Sequence, residues 1–156
     1  GGRAYRYLSA CWAQDVAAAQ ALSVKPTASA AAVERLQGEL SALKLRCAKL
    51  EESVFAGVAA RYAGSGDVLL FEDEMGGESV RRLCDAVAET CGGRCAVFAG
   101  AGSAWKYAIG QRGGDLRALT KELNAALSGR GGGMPEFVQG SVGAEREAIE
   151  AFFAEK

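Results

Sequence analysis

The chain has 156 residues, with 18 Lys and Arg against 19 Asp and Glu and no histidine. Without histidine there are no serine-histidine or cysteine-histidine nucleophile pairs, no histidine acid-base chemistry and no imidazole zinc site. A hydrophobic share of 49%, a charged share of 24% and only 2 prolines describe a globular chain that buries a core, sized for one domain plus an appendage.

The near-neutral total hides an imbalance: residues 1–62 carry eight basic and five acidic side chains, residues 67–156 ten and fourteen. Neither half is basic enough to bind polyanions through net charge, so a nucleic-acid role needs a local basic face.

From Arg3 to Leu22 the apolar residues Tyr5, Leu8, Trp12, Val16, Ala19 and Leu22 recur at helical spacing, which predicts an amphipathic helix. Pro26 turns Lys25 away from helical angles, and Thr27 or Ser29 can cap the next helix. In that helix Val33, Leu36, Leu40, Leu43, Cys47, Leu50 and Val54 follow an alternating 3,4 spacing, the seam of a coiled coil. Two parallel copies would set Glu39 against Lys44 and Arg46 against Glu51, both attractive, so a homodimer is one reading. The other is a helical hairpin, with the stripe packed on the first helix of its own chain.

Gly64 to Asp67 breaks the long helix, and Val68 to Asp73 reads as a short buried strand. The next segment places Val80, Leu83, Cys84, Val87 and Cys91 on one helical face. The stretch RCAVFAGAG is a strand, paired through its small turn with a second strand over Ala104 to Gln111. A helix capped by Asp115 follows, then a glycine-rich segment, GRGGGMPEFVQGSVGA, read as loop or strand and enclosing a short apolar stretch, and a closing helix. The fold class expected is α/β (α+β): a helical hairpin or coiled coil over 1–63 and a small mixed-sheet domain over 64–156.

Five cysteines in helical and strand-like contexts are an odd set with no second pair at metal spacing, and read as free thiols in a reducing compartment. No apolar run spans a bilayer and no signal pattern opens the chain, so no membrane role and a cytoplasmic location are expected. The opening GGRAYRYL has no starting methionine, which suggests a piece of a longer protein with a catalytic part upstream.

Four of the first five residues of GRGGGMPEFVQG, Gly129 to Gly140, are glycine. Such a run brings backbone amides close to a ligand, and a phosphate suits it, with Arg130 adding charge and a planar donor fork. A purely structural turn is the alternative, because neither GxxxxGK[ST] nor a strand-leading GxGxxG is present.

GRGGG with PEFVQG, after the helix ELNAALSG, resembles the DHH-associated domain that ends alanyl-tRNA synthetases and the longer freestanding alanyl-tRNA editing proteins. GGRAYRY, LSVKP and AAVERLQGELSALK resemble the helical connector of those editing proteins. The resemblance implies a noncatalytic tRNA-binding module, with ester hydrolysis in a preceding zinc domain and no cofactor in this chain. Related phosphoesterases carry a histidine in a GGGH motif; Met134 stands there, so phosphoesterase activity is not expected.

The candidate backbone contacts are Arg130, Gly131, Gly132, Gly133, Gln139 and Gly140, extended by Lys106, Gln111 and Arg112. Trp105 or Tyr107 could stack a base, although strand aromatics are more often core. Arg81 and Arg82 read as ordinary helix surface, and Glu72, Asp73 and Glu74 as a solvated strand end rather than a cation site. The rival reading is a dimerisation and spacer module without RNA affinity of its own.

Overall fold

The computed structural model describes residues 1–73 and 75–156; Glu74, the last of the acidic trio, lies outside the described residues. The chain forms two compact units, Gly1–Lys49 and Leu50–Lys156. The division falls within one continuous helix, whereas the glycine break apparent in the sequence lies at Gly64.

In the first unit, α1 covers Gly2–Ala21, and a 3-10 turn over Pro26–Ala28 leads into α2, Ser29–Arg61. Lys25 is extended, as the following proline requires. The Ser29 hydroxyl lies 3.1 Å from an Asp15 carboxylate oxygen and 2.7 Å from the Pro26 carbonyl, and Ala19 and Ala32 are buried nearby. The heptad stripe itself is bare, with Val33, Leu36, Leu40 and Leu43 between 41% and 58% exposed. It is therefore not buried against α1, whose Tyr5, Leu8 and Trp12 are also open to solvent.

The second unit takes in the last turns of α2 and continues as β1 (Gly66–Glu72), α3 (Gly77–Ala88), β2 (Gly92–Ala101), β3 (Ala104–Gln111), α4 (Arg117–Ala126), β4 (Arg130–Met134), β5 (Phe137–Val142) and α5 (Arg146–Ala154). The five strands form one mixed sheet in the order β1-β2-β3-β5-β4. β1 and β2 are parallel, with α3 as their crossover, and the other pairs are antiparallel. This is the α+β class expected from the sequence.

Each strand of the centre feeds two cores, because successive side chains alternate between faces. On one face Cys95, Val97 and Ala99 of β2 pack with Val80, Leu83, Cys84 and Val87 of α3 and with Phe55, Val58 and Ala59 of α2. On the other, Ala96 and Phe98 pack with Trp105, Tyr107 and Ile109 of β3, Leu116 and Leu123 around α4, and Ile149 of α5. Cys84, Cys91 and Cys95 are buried free thiols, and Cys11 and Cys47 are exposed ones.

Two local points become definite in the fold. The glycine-rich segment, left between loop and strand by the sequence, is a β-hairpin: Arg130–Met134 pairs antiparallel with Phe137–Val142 around a turn at Pro135 and Glu136. Glycine is a poor strand former, but here the strands approach where a side chain would clash. Helix α4 begins at Arg117, so Leu116 rather than Asp115 is the residue flanking its start. The Asp115 carboxylate nevertheless accepts the Arg117 backbone N–H at 3.1 Å, satisfying one of the free donors at the helix start.

Candidate nucleic-acid interface

Directly opposed residues in an antiparallel ladder project to the same face. β3, β5 and β4 therefore set three rows side by side on one face of the sheet. Lys106, Ser141 and Arg130 form the first, Ala108, Gln139 and Gly132 the second, and Gly110, Phe137 and Met134 the third. Helix α3 covers the β3 end of the third row: a β-carbon added at Gly110 would lie 3.1 Å from Ala88 Cβ.

At the first row this face opens into a groove of about 490 Å³, lined by Lys106, Arg130, Gln139 and the start of α3 at Gly77 and Glu78. Lys106 and Arg130 also border a larger cavity of about 660 Å³ that holds Ser103, Ser128 and Ser141. Two cations thus stand among hydroxyl and amide groups on this face, with one carboxylate, Glu78, at the α3 wall and itself paired with Arg81, a surface suited to an anion.

Ion pairing sorts the cations of this unit. Arg112 donates to Asp85 at 2.9 Å and to Glu89, so its charge is matched within the protein. Arg81 pairs with Glu78 at 3.4 Å and Arg82 with Glu51 at 3.1 Å; Arg82 also lies over the Phe55 ring. Arg117 engages Asp115 through two nitrogens, and that contact holds the Asp115 carboxyl down to about 2. Lys106, Lys121 and Arg130 are exposed and make no ion pair among the described residues. An unmatched cation keeps its full attraction for an external phosphate, while a matched one must first give up a partner.

The glycines of β4 and β5 serve different ends. A β-carbon at Gly131 would lie 2.2 Å from the Tyr107 hydroxyl, and one at Gly140 would lie 2.3 Å from the Arg130 carbonyl oxygen. One at Gly133 would meet the Phe137 carbonyl oxygen at 2.3 Å. These three are glycine because the hairpin and the Tyr107 ring close against them. Gly132 meets nothing within 4 Å and sits on the open face beside Gln139, where a bare backbone admits the closest approach of a ligand.

Of the residues singled out from sequence, Arg130, Gly132, Gln139 and Lys106 come together on the open face. Gly131, Gly133 and Gly140 carry the hairpin beneath it. Arg112 borders the far end, in a cleft shared with Arg81, Met134 and Gln139. Gln111 is half-buried at the end of β3.

Trp105 and Tyr107 are core residues, 7% and 2% exposed, and offer no face to a base. Trp105 Nε1 donates to the Gly102 carbonyl at 2.7 Å, and burial pushes the Tyr107 hydroxyl above its ordinary value. Glu72 ends β1 half-buried and Asp73 is exposed.

Sequence reasoning passed over α4. Arg117, Lys121 and Asn124 share one face of that helix by their spacing, and it immediately precedes the glycine strand. That spacing was the available signal. Asn124 Nδ2 donates to the Gly131 carbonyl at 3.1 Å, and the Tyr107 hydroxyl lies 3.4 Å from Asn124 Oδ1.

No protein-family model matches the chain, and no curated protein does. Among solved structures the chain is similar to the C-Ala domain of alanyl-tRNA synthetase from Aquifex aeolicus, with a TM-score of 0.48 and 20% identity over 57% of this chain and 89% of that one. It is also similar to exonuclease RecJ bound to manganese, with a TM-score of 0.50 and 21% identity over 83% of this chain. The likeness to RecJ is one of fold, and this chain spans 32% of that protein's length.

Proposed function

We propose that this chain is a noncatalytic RNA-binding module that docks tRNA through its phosphate backbone, as part of an alanyl-tRNA editing protein. The observation that carries the reading is the row Lys106, Ser141 and Arg130, whose two cations are exposed and make no ion pair among the described residues. The resemblance of GRGGG and PEFVQG to the DHH-associated domain of alanyl-tRNA synthetases and editing proteins supports it. Hydrolysis of the misacylated ester belongs, in this reading, to a zinc domain elsewhere in the full protein. The present chain has no histidine to supply such a centre.

Labelled tRNA titrated at two salt concentrations tests the reading. Binding should weaken as salt rises, and Arg130→Ala and Lys106→Ala should each lower affinity and flatten the salt dependence by about one counterion. No binding by the unaltered protein at low salt overturns it.

The exposed heptad stripe favours a second reading, in which this module also pairs two copies of the chain. Light scattering that gives twice the 16.2 kDa chain mass at high concentration and falls on dilution supports it. A mass of one chain at every concentration excludes it.

A further inference from the structure

The open edge of β4 has cations on both of its sides. A β-carbon at Gly140 would lie 2.6 Å from Gly131 Cα, so these two residues face each other as a closely spaced pair of the ladder. In such a pair the backbone N–H and C=O groups point away from the partner strand, here toward the free edge. The bond from Asn124 Nδ2 to the Gly131 carbonyl, at 3.1 Å, agrees with that orientation. Gly133 lies two residues on and turns the same way. The edge N–H groups of Gly131 and Gly133 have no acceptor among the described residues.

On one side of this edge stand Lys106 and Arg130. On the other a cleft of about 270 Å³ runs between β4 and α4, bordered by Gly131, Gly132 and Gly133 and by Lys121 and Asn124. Lys121 is exposed and without an ion pair among the described residues. Arg117, in the same cleft, is matched by Asp115.

We propose that β4 is the spine of a two-sided phosphate clamp, in which Arg130 and Lys121 grip the RNA backbone from opposite sides of the strand while the edge amides of Gly131 and Gly133 face it. The clamp rests on the RNA-binding reading above and extends it to α4. Its partner is a paired stem rather than an unstacked strand. Single-strand recognition uses exposed aromatic platforms; here Trp105 and Tyr107 are buried and Phe137 is half-buried against the core on the α3 side, leaving Met134 as the large apolar side chain exposed on β4. Shape and backbone contacts remain, and these are how paired RNA is held.

Fluorescence anisotropy with a labelled RNA hairpin stem, and with an unpaired strand of equal length, tests the clamp. The proteins are the unaltered chain, Lys121→Ala, Arg130→Ala, the double variant, Lys121→Arg and Arg35→Ala. Lys121→Ala and Arg130→Ala should each remove about 0.7–0.9 from the slope of log affinity against log salt, and the double variant should remove both. Lys121→Arg should retain binding, and Arg35→Ala, at an exposed arginine of the first unit paired with Glu39, should bind as the unaltered chain does. Circular dichroism with the urea midpoint checks that each variant is folded.

Loss with Arg130→Ala but none with Lys121→Ala overturns the clamp and leaves the one-sided groove standing. Absence of binding by the unaltered chain overturns both readings. An unpaired strand bound as tightly as the stem overturns the choice of partner.

Discussion

At one edge of the sheet, β1 places Val68 and Leu70 in the core it shares with α2 and α3. It turns Leu69 and Phe71 toward the core under α4 and α5. Phe71 stacks on Phe98 with centroids 5.7 Å apart, meets Trp105 edge-on at 5.5 Å and lies under the Arg146 guanidinium at 4.3 Å. At the other edge every residue of β4 is exposed, and three of its five have no side chain. Burial of side chains fixes the first edge; backbone pairing and one asparagine hold the second. An edge held without side chains is free to present its backbone to a ligand, and the sheet draws its stability from the opposite side.

The comparison can be broken by substitution, and the largest effect should come from β1. Leu70→Ala should cost about 2–5 kcal/mol in urea unfolding, as buried leucines do. Arg130→Ala on β4 should stay within about 0.5 kcal/mol. A cost below about 1 kcal/mol for Leu70→Ala would mean that β1 is not the fixed edge.

The glycine strand sharpens the point. Gly131→Val should destabilise by about 1–3 kcal/mol, since its side chain must displace the Tyr107 hydroxyl and the Gln139 carbonyl. Gly132→Val faces open space and should be close to neutral in the same measurement, while weakening RNA binding.

Asn124→Ala should cost about 0.5–1.5 kcal/mol through the lost bond to the Gly131 carbonyl. Faster amide exchange confined to β4 would be its signature.

The smallest effect concerns Asp115. Its folded-state pKa is lowered from 3.8 to about 2 by the Arg117 side chain and backbone N–H, so the stabilisation is complete above 3.8 and is lost as pH falls through about 2. Asp115→Asn should remove that part of the acid limb in a pH series of urea midpoints.

How much of this the sequence shows depends on whether side chains write the structure. The apolar face of α3 is fully legible, because Val80, Leu83, Cys84 and Val87 recur at helical spacing and all four are buried. The β2–β3 hairpin is legible for the same reason, through alternation and a small turn. β4 is not: RGGGM has no period, and glycine is read as a break before it is read as a strand.

The heptad helix is legible as a helix, yet its spacing is the same whether the stripe is covered or bare. Arg130 and Lys106 stand out as cations near glycines. Lys121 does not, because only the sheet order β3-β5-β4 and the packing of α4 bring it beside the strand.

The five thiols form a built-in chemical clock. Cys11 and Cys47 lie in water in the first unit and would consume a thiol reagent at once. Cys84, Cys91 and Cys95 are sealed in the second, and contact with Cys95 together with burial pushes the Cys84 thiol further from its reactive form. A time course should therefore show two fast equivalents and then three slow ones, and the slow phase times the opening of the sheet domain.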